Sequence, residues 1–239
     1  MESSTGGSAG EEMPAEDTLA AAVARHGIVL TDRQMAGIEA YVRQLWDWNS
    51  RLNLTRHTDY ERFVTRDLVD SLELAKLLQP GEKVLDFGSG GGVPGLVVAL
   101  LRDDLEVTLC ESVGKKARAL EAMVAALRDH LPAQRPKIYV QSRRVEEVLR
   151  NRRFDVVMAR AVGPLPDILR WLKDRWPSIG RLLLIKGPKW PEERAAARHR
   201  GQMHDLQLRV AATYPLADTG SDSVILKLER AVTPEAPVE

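Results

Sequence analysis

Residues 84–95 read V-L-D-F-G-S-G-G-G-V-P-G, an apolar strand entering a turn built mostly of glycine. A backbone this bare lets a nucleotide-like ligand lie directly against it. The stretch can be read in two registers. Gly90, Gly92 and Gly95 spell G-x-G-x-x-G, the fingerprint of dinucleotide binding. Asp86, Gly88, Gly90 and Gly92 spell acid-x-G-x-G-x-G, the pattern of S-adenosyl-L-methionine (SAM) binders. Charge separates the two. A dinucleotide sets its pyrophosphate on a helix N-terminus, where free N–H groups receive it. Pro94 in that first turn has no N–H to give, and Asp86 would hold a negative charge close to the phosphates. SAM carries a sulfonium and an ammonium, both positive, so Asp86 favours it and Pro94 is merely a good opening residue for the helix. The chemistry selects SAM. Glu111, at the end of the next strand, is placed to grip the adenosine ribose. Both cofactors carry that ribose, so Glu111 does not discriminate between them. A P-loop is excluded, because no G-x-x-x-x-G-K-[ST] occurs.

Methyl transfer is a displacement at the sulfonium methyl, and the enzyme's main task is to hold a nucleophile in line. Methylating a pyrimidine carbon calls for a cysteine nucleophile. The single Cys110 lies inside a strand and reads as a small core residue. Methylating an exocyclic amine typically uses an N/D-P-P-Y/F turn after the fourth strand, where this chain has A-R-A-V-G at 159–163. A ring nitrogen with its own lone pair, such as guanine N7, needs neither device. The five histidines are scattered and form no metal-ligand pattern, so no metal is expected. Arg160 follows the fourth strand, and its fork suits guanine O6 or a phosphate. The competing reading pairs it with a rim carboxylate, Glu111 or Asp86. Arg143 and Arg144, with Arg150, Arg152 and Arg153, make a basic run that is either an RNA contact or a solvated face. Lys186 and Lys189 could extend it.

These residues need a scaffold. Helical spacing of Met35, Ile38, Val42, Leu45 and Trp46 predicts a helix over 31–48 capped by Thr31 or Asp32, and a second spans 62–78. Strands then alternate with helices: strands at 83–87, 106–111, 137–141, 154–159 and 181–185, with helices at 94–101, 115–131, 145–149, 165–176 and after Pro191. Two last strands, 208–213 and 223–228, are joined by a loop at 214–220. The pattern predicts an α/β, Rossmann-like SAM-dependent methyltransferase fold, with a mostly parallel seven-stranded sheet and an N-terminal helical extension. Ligands of such sheets bind at the carboxyl ends of the strands. That rule gathers 86–92, Glu111, 141–144, Arg160 and Lys186 on one rim. The expected division is a disordered tail at 1–16, the helical extension at 17–80, the cofactor domain at 81–230 and a second tail at 231–239. The 34 basic residues balance 34 acidic ones, so RNA binding must come from a local patch. One cysteine, no apolar run of spanning length and no apolar signal-peptide core are expected of a cytoplasmic protein that avoids membranes.

Taken together, these residues resemble the RsmG family, also called glucose-inhibited division protein B, over about residues 28–229. Its markers here are W-N-S-R-L-N-L-T at 48–55, R-D-L-V-D-S at 66–71, the glycine turn, and E-S-V-G-K-K at 111–116. Q-S-R-R-V-E-E at 141–147, F-D-V-V-M-A-R-A at 154–161 and L-I-K-G at 184–187 complete them. The resemblance implies methylation of guanine N7 in 16S ribosomal RNA, and the partners expected are the small ribosomal subunit or free 16S rRNA, with the chain itself a monomer. It implies that Gly88, Val93, Val145, Glu146 and Arg160 contact SAM. It also implies that Asn53, Arg66, Arg143 or Arg144, and Lys186 face the RNA or shape its pocket. Asn53 could equally close the turn after the first long helix. The chain departs from the family's pattern in three places. Asp67 stands where R-H-x-x-D-S has histidine, G-S-D-S at 220–223 lacks a common arginine, and the extra arginine makes Arg143 and Arg144 compete for one role. Asp67 and Asp222 thus set carboxylates near the expected RNA surface. Another SAM acceptor, or a non-catalytic RNA-binding or assembly module, stays open at this point.

Overall fold

The computed structural model describes residues 17–130, 137–216 and 220–231; apart from residue 231, the two expected tails lie outside these. The N-terminal helices are α1 (Leu19–Arg25), α2 (Asp32–Leu52), α3 (Tyr60–Arg62) and α4 (Val69–Ala75). Strands and helices then alternate as β1 (Lys83–Phe87), α5 (Gly95–Leu101), β2 (Glu106–Cys110), α6 (Gly114–Ala126), β3 (Lys137–Gln141) and α7 (Val145–Asn151). The second half continues with β4 (Phe154–Arg160), α8 (Leu165–Leu172), β5 (Ile179–Lys186), α9 (Trp190–His199), β6 (Leu206–Leu216) and β7 (Ser221–Arg230).

The seven strands form one sheet in the order β3-β2-β1-β4-β5-β7-β6. Five are parallel, and β7 and β6 close the edge antiparallel. Chain direction reverses its progress between β1 and β4, which creates the switch point where ligands settle in such sheets. Period-two alternation builds the layers on both faces. Val84 on β1 joins one core with helices α1, α2, α5 and α6. Its neighbour Leu85 joins the other, with α7 and α8. Helices of the N-terminal segment therefore share their core with the sheet.

Element boundaries differ from expectation for local reasons. Helix α1 was not anticipated, although Thr18 caps it by accepting from Ala21 N at 3.2 Å. Thr31 caps α2 in a capping box with Gln34, and the helix runs on to Leu52. The helix expected over 62–78 is interrupted by a π-helical stretch, Phe63–Leu68, between α3 and α4. The helices expected to reach 131 and 176 end at 126 and 172 and give way to short 3₁₀ turns, Arg128–His130 and Trp176–Ser178. Residue 131 lies outside the described residues. Tyr214, Pro215 and Leu216, expected in a loop, extend β6, with Pro215 opposite Asp222. Pro215 removes one ladder donor, which an edge strand tolerates.

One hydrogen bond couples the N-terminal helices to the glycine turn: the buried Tyr41 hydroxyl of α2 donates to the Gly91 carbonyl at 2.9 Å. Tyr41→Phe leaves that buried carbonyl without its donor. It is expected to lower unfolding free energy by about 1–2 kcal/mol in urea titration, with the fold retained.

Candidate active site

The glycine turn is pinned from two sides. Gly88 and Ser89 N–H both donate to Cys110 O, at 2.9 and 3.1 Å, tying the end of β1 to the end of β2. Gly88, Gly90 and Gly92 have φ of 71°, 54° and 102°, a region open to glycine. At Gly88 space is also denied, since a Cβ would stand 2.5 Å from Val162 Cγ1. Glu111, just past β2, takes backbone donors on both oxygens: Gly90 N at 3.0 Å and Val113 N at 2.7 Å. Its carboxylate is thereby held at the rim with lone pairs to spare for ribose hydroxyls.

These residues border a cavity of about 580 Å³, within the range of small-molecule sites. Of the expected site residues, Gly88, Gly90, Val93, Glu111, Arg143, Arg144, Val145, Glu146 and Arg160 all line it. Leu45, Leu54 and Thr55 from the N-terminal segment close one side, and Trp171 another. Cys110 also reaches the lining, where burial pushes its thiol up to about 12. Its Sγ donates to Arg143 O at 3.3 Å, so it is no ready nucleophile.

Asp86 and Gly92 do not line this cavity: Asp86 is buried beneath the turn, and Gly92 turns toward Leu96 and Leu120. The buried Asp86 accepts Gly95 N–H on Oδ2 at 3.2 Å, and its Oδ1 meets no donor. Burial pushes its carboxyl up to about 7, with Ser89, the Gly95 N–H and then Arg160 pulling the other way. That geometry also tests the choice of cofactor. Pro94 has no N–H, Gly95 N–H is spent on Asp86, and Leu96 N–H is spent on Gly92 O at 2.7 Å. Two of the first-turn donors of α5 are thus spent within the protein and Pro94 supplies none, which disfavours a pyrophosphate at this helix start.

Arg160, at the end of β4, is paired with neither Glu111 nor Asp86. Its Nη1 lies 2.6 Å from Asp67 Oδ1 and 3.1 Å from Asp70 Oδ2. Burial alone would lower the guanidinium pKa, but Asp67 and Asp70 outweigh it and hold it well above its ordinary value. Burial lifts the Asp70 carboxyl above its usual range despite Arg160, and Tyr214 Oη donates to its other oxygen at 2.7 Å. Asp67 therefore adds no charge to an RNA surface; it is fully buried, whereas Asp222 is exposed. Asp70 and Tyr214 were missed as site residues. Asp67 and Asp70 lie three residues apart, but nothing local marks them as partners of Arg160, and nothing local marks Tyr214.

A second cavity of about 510 Å³ opens on the far side of Arg160, and Arg160 and Ala161 border both. His57, Arg66, Asp70, Lys186 and Glu193 line it. Lys186 belongs here and not to the first cavity; its Nζ donates to Gly163 O at 2.6 Å and pairs with Glu193 at 2.8 Å. Asn53 lines neither cavity. It is the left-handed C-cap of α2, with φ 49°, and its N–H returns to Asn49 O at 3.3 Å.

A family model described as rRNA small subunit methyltransferase G matches residues 34–215. The chain belongs to that family. A curated member from Rhodopirellula baltica, named ribosomal RNA small subunit methyltransferase G, is 45% identical over 215 residues, covering 90% of this chain and 89% of that protein. One of the same name from Roseiflexus sp. is 36% identical over 217 residues, covering 87% and 88%. Among solved structures, a mutant of MtNAS aligns with a TM-score of 0.54 at 14% identity, covering 83% of this chain and 74% of that one. M. capricolum TrmK in complex with S-adenosyl-homocysteine aligns at 0.52 and 15%, covering 67% of each chain. At these identities the structures show a shared fold. Membership of the methyltransferase G family makes the chain a SAM-dependent methyltransferase.

Two outcomes follow from the turn. Gly88→Ala, which drives a methyl into Val162 at a left-handed backbone, should abolish SAM binding by calorimetry and cost about 1–3 kcal/mol of stability. Asp86 gives a pH signature. Its folded pKa lies above the ordinary 3.8, so its contribution is complete below about pH 3.8 and is lost as pH rises to about 7. Urea unfolding of the cofactor-free protein should show roughly 3 kcal/mol less stability at pH 8 than at pH 5 from this group. Asp86→Asn should remove that slope.

Proposed function

We propose that this enzyme transfers the methyl group of SAM to N7 of a guanine in 16S ribosomal RNA, presented by the small ribosomal subunit or as free RNA. One observation carries the reading: Arg160 lines both cavities and is fixed by Asp67 and Asp70. In the major-groove pattern of guanine, O6 and N7 share an edge. A fork on O6 at this shared wall turns N7 toward the first cavity, where bound SAM would supply an electrophilic methyl on its sulfonium.

N7 attacks with its own lone pair and has no proton to lose, so positioning suffices. The carboxylates nearby fit that division of labour. Asp67 and Asp70 hold Arg160, and Glu193 holds Lys186 and Leu165 N–H. Arg66, Lys116, Arg143 and Arg144 border the two cavities and supply cations for phosphates that fix the RNA's register. The chain acts as a monomer in the cytoplasm in this reading. Its most exposed large apolar residues, Val29, Val113, Tyr139 and Val210, stand on separate segments, and no described helix is long and apolar enough to cross a membrane.

The test is incubation with methyl-tritiated SAM and small subunits or rRNA from cells lacking the activity, followed by mapping of the labelled nucleotide. Label in guanine N7 is expected; label in another atom or none in either substrate overturns the proposal. Arg160→Lys keeps the charge between Asp67 and Asp70 but loses the fork. It should lower kcat/KM for the RNA by roughly 10- to 100-fold while SAM affinity changes much less.

A further inference from the structure

His57 lies between α2 and α3, and three contacts fix it. Trp46 Nε1–H donates to its carbonyl at 2.8 Å, and its own N–H donates to Thr55 Oγ1 at 3.0 Å. Its ring Nδ1 lies 2.9 Å from Asp67 Oδ1, the same oxygen that pairs with Arg160 at 2.6 Å. An oxygen ion-paired with a guanidinium is an acceptor, so the imidazole meets it with Nδ1–H. In the neutral ring this leaves the lone pair on Nε2, as in other carboxylate-oriented imidazoles.

Nε2 has no partner among the described residues, and the side chain is 28% exposed where it lines the second cavity beside Arg160. That cavity therefore presents a donor, Arg160, and an acceptor, His57 Nε2, both oriented by one buried carboxylate. Guanine matches the pair: its O6 acceptor adjoins the N1–H and N2–H₂ donors of its Watson–Crick edge. Adenine reverses the order, with an amino donor at position 6 and an acceptor at N1.

We propose that His57 Nε2 accepts a hydrogen bond from the Watson–Crick edge of the acceptor guanine while Arg160 donates to O6, so that His57 is a base-recognition residue of the reaction. The proposal rests on the guanine reading above. Nothing in this role moves a proton. Asp67 orients His57 and Arg160 together, which explains why a fully buried carboxylate serves two side chains on one oxygen.

Two variants separate recognition from bracing. His57→Asn sets an amide nitrogen near the Nδ1 position, keeping a partner for Asp67, and has no atom near Nε2. His57→Gln reaches further and can set its amide oxygen near Nε2. With mapped guanine labelling as the assay, His57→Asn should keep SAM affinity and thermal midpoint close to wild type. Its kcat/KM for the RNA should fall by about tenfold, the worth of one hydrogen bond. His57→Gln should recover a large part of the loss. A wild-type rate in His57→Asn would assign His57 to bracing alone and overturn the inference, as would a loss of SAM affinity matching the loss of rate. Failure of the wild-type enzyme to label guanine N7 would remove the function reading and this inference with it. Full labelling by both wild type and His57→Asn would remove only the inference.

Discussion

The guanidinium of Arg160 is mostly withdrawn from water, which costs several kcal/mol unless partners replace the lost solvation. Asp67 and Asp70 do so at 2.6 and 3.1 Å. The two acids come from the helical N-terminal segment and the arginine from the end of β4. The ion pairs therefore weld the helices to the carboxyl edge of the sheet, at the point where the two cavities meet. Loss of either acid would leave a buried charge short of a partner, a defect commonly worth 3–5 kcal/mol. Tyr214 of β6 joins the same cluster through Asp70. Three distant parts of the chain thus become one wall of the site.

The glycine turn obeys a different constraint, that of space. Its residues must be bare where a ligand lies close, and bare again where the turn meets its own support. Gly95 shows the second need, because a Cβ there would fall 2.5 Å from Asp86 Oδ2 and from Leu109 Cδ2. Asp86 belongs to this support. It tethers the start of α5 from below by accepting the Gly95 N–H. Asp86 and Pro94 point to SAM, the cofactor of the family, although Asp86 is buried beneath the turn and lines neither cavity.

The sheet was legible because alternation of apolar runs and turn residues survives in the sequence at every strand from 83 to 185. So was the rim, since the carboxyl ends of parallel strands share one side by topology. Gly88, Glu111, Arg143, Arg144 and Arg160 were placed by that rule alone. The partners of Arg160 were not. Asp67 lies in a π-helical stretch, whose side-chain directions differ from those an α-helix would impose. Tyr214 sits beside Pro215 in a sequence that reads as a turn. Lys186 was correctly put at the end of β5, yet it lines the second cavity and not the first. Rim position is a property of topology; which cavity a rim residue enters depends on packing between elements far apart in sequence.

The N-terminal helices illustrate why a methyltransferase sheet alone would not make this site. Tyr41 holds the Gly91 carbonyl, while Leu45, Leu54 and Thr55 supply a wall of the first cavity. His57 and Arg66 supply the second. A balanced net charge gives no long-range pull toward RNA, so discrimination must arise at short range, from oriented donors and acceptors inside a cavity. Carboxylates are then the natural orienting groups even in an enzyme for a polyanion, provided they are buried and spent on cations. Asp67 meets both conditions: it is fully buried, and its Oδ1 is spent on Arg160.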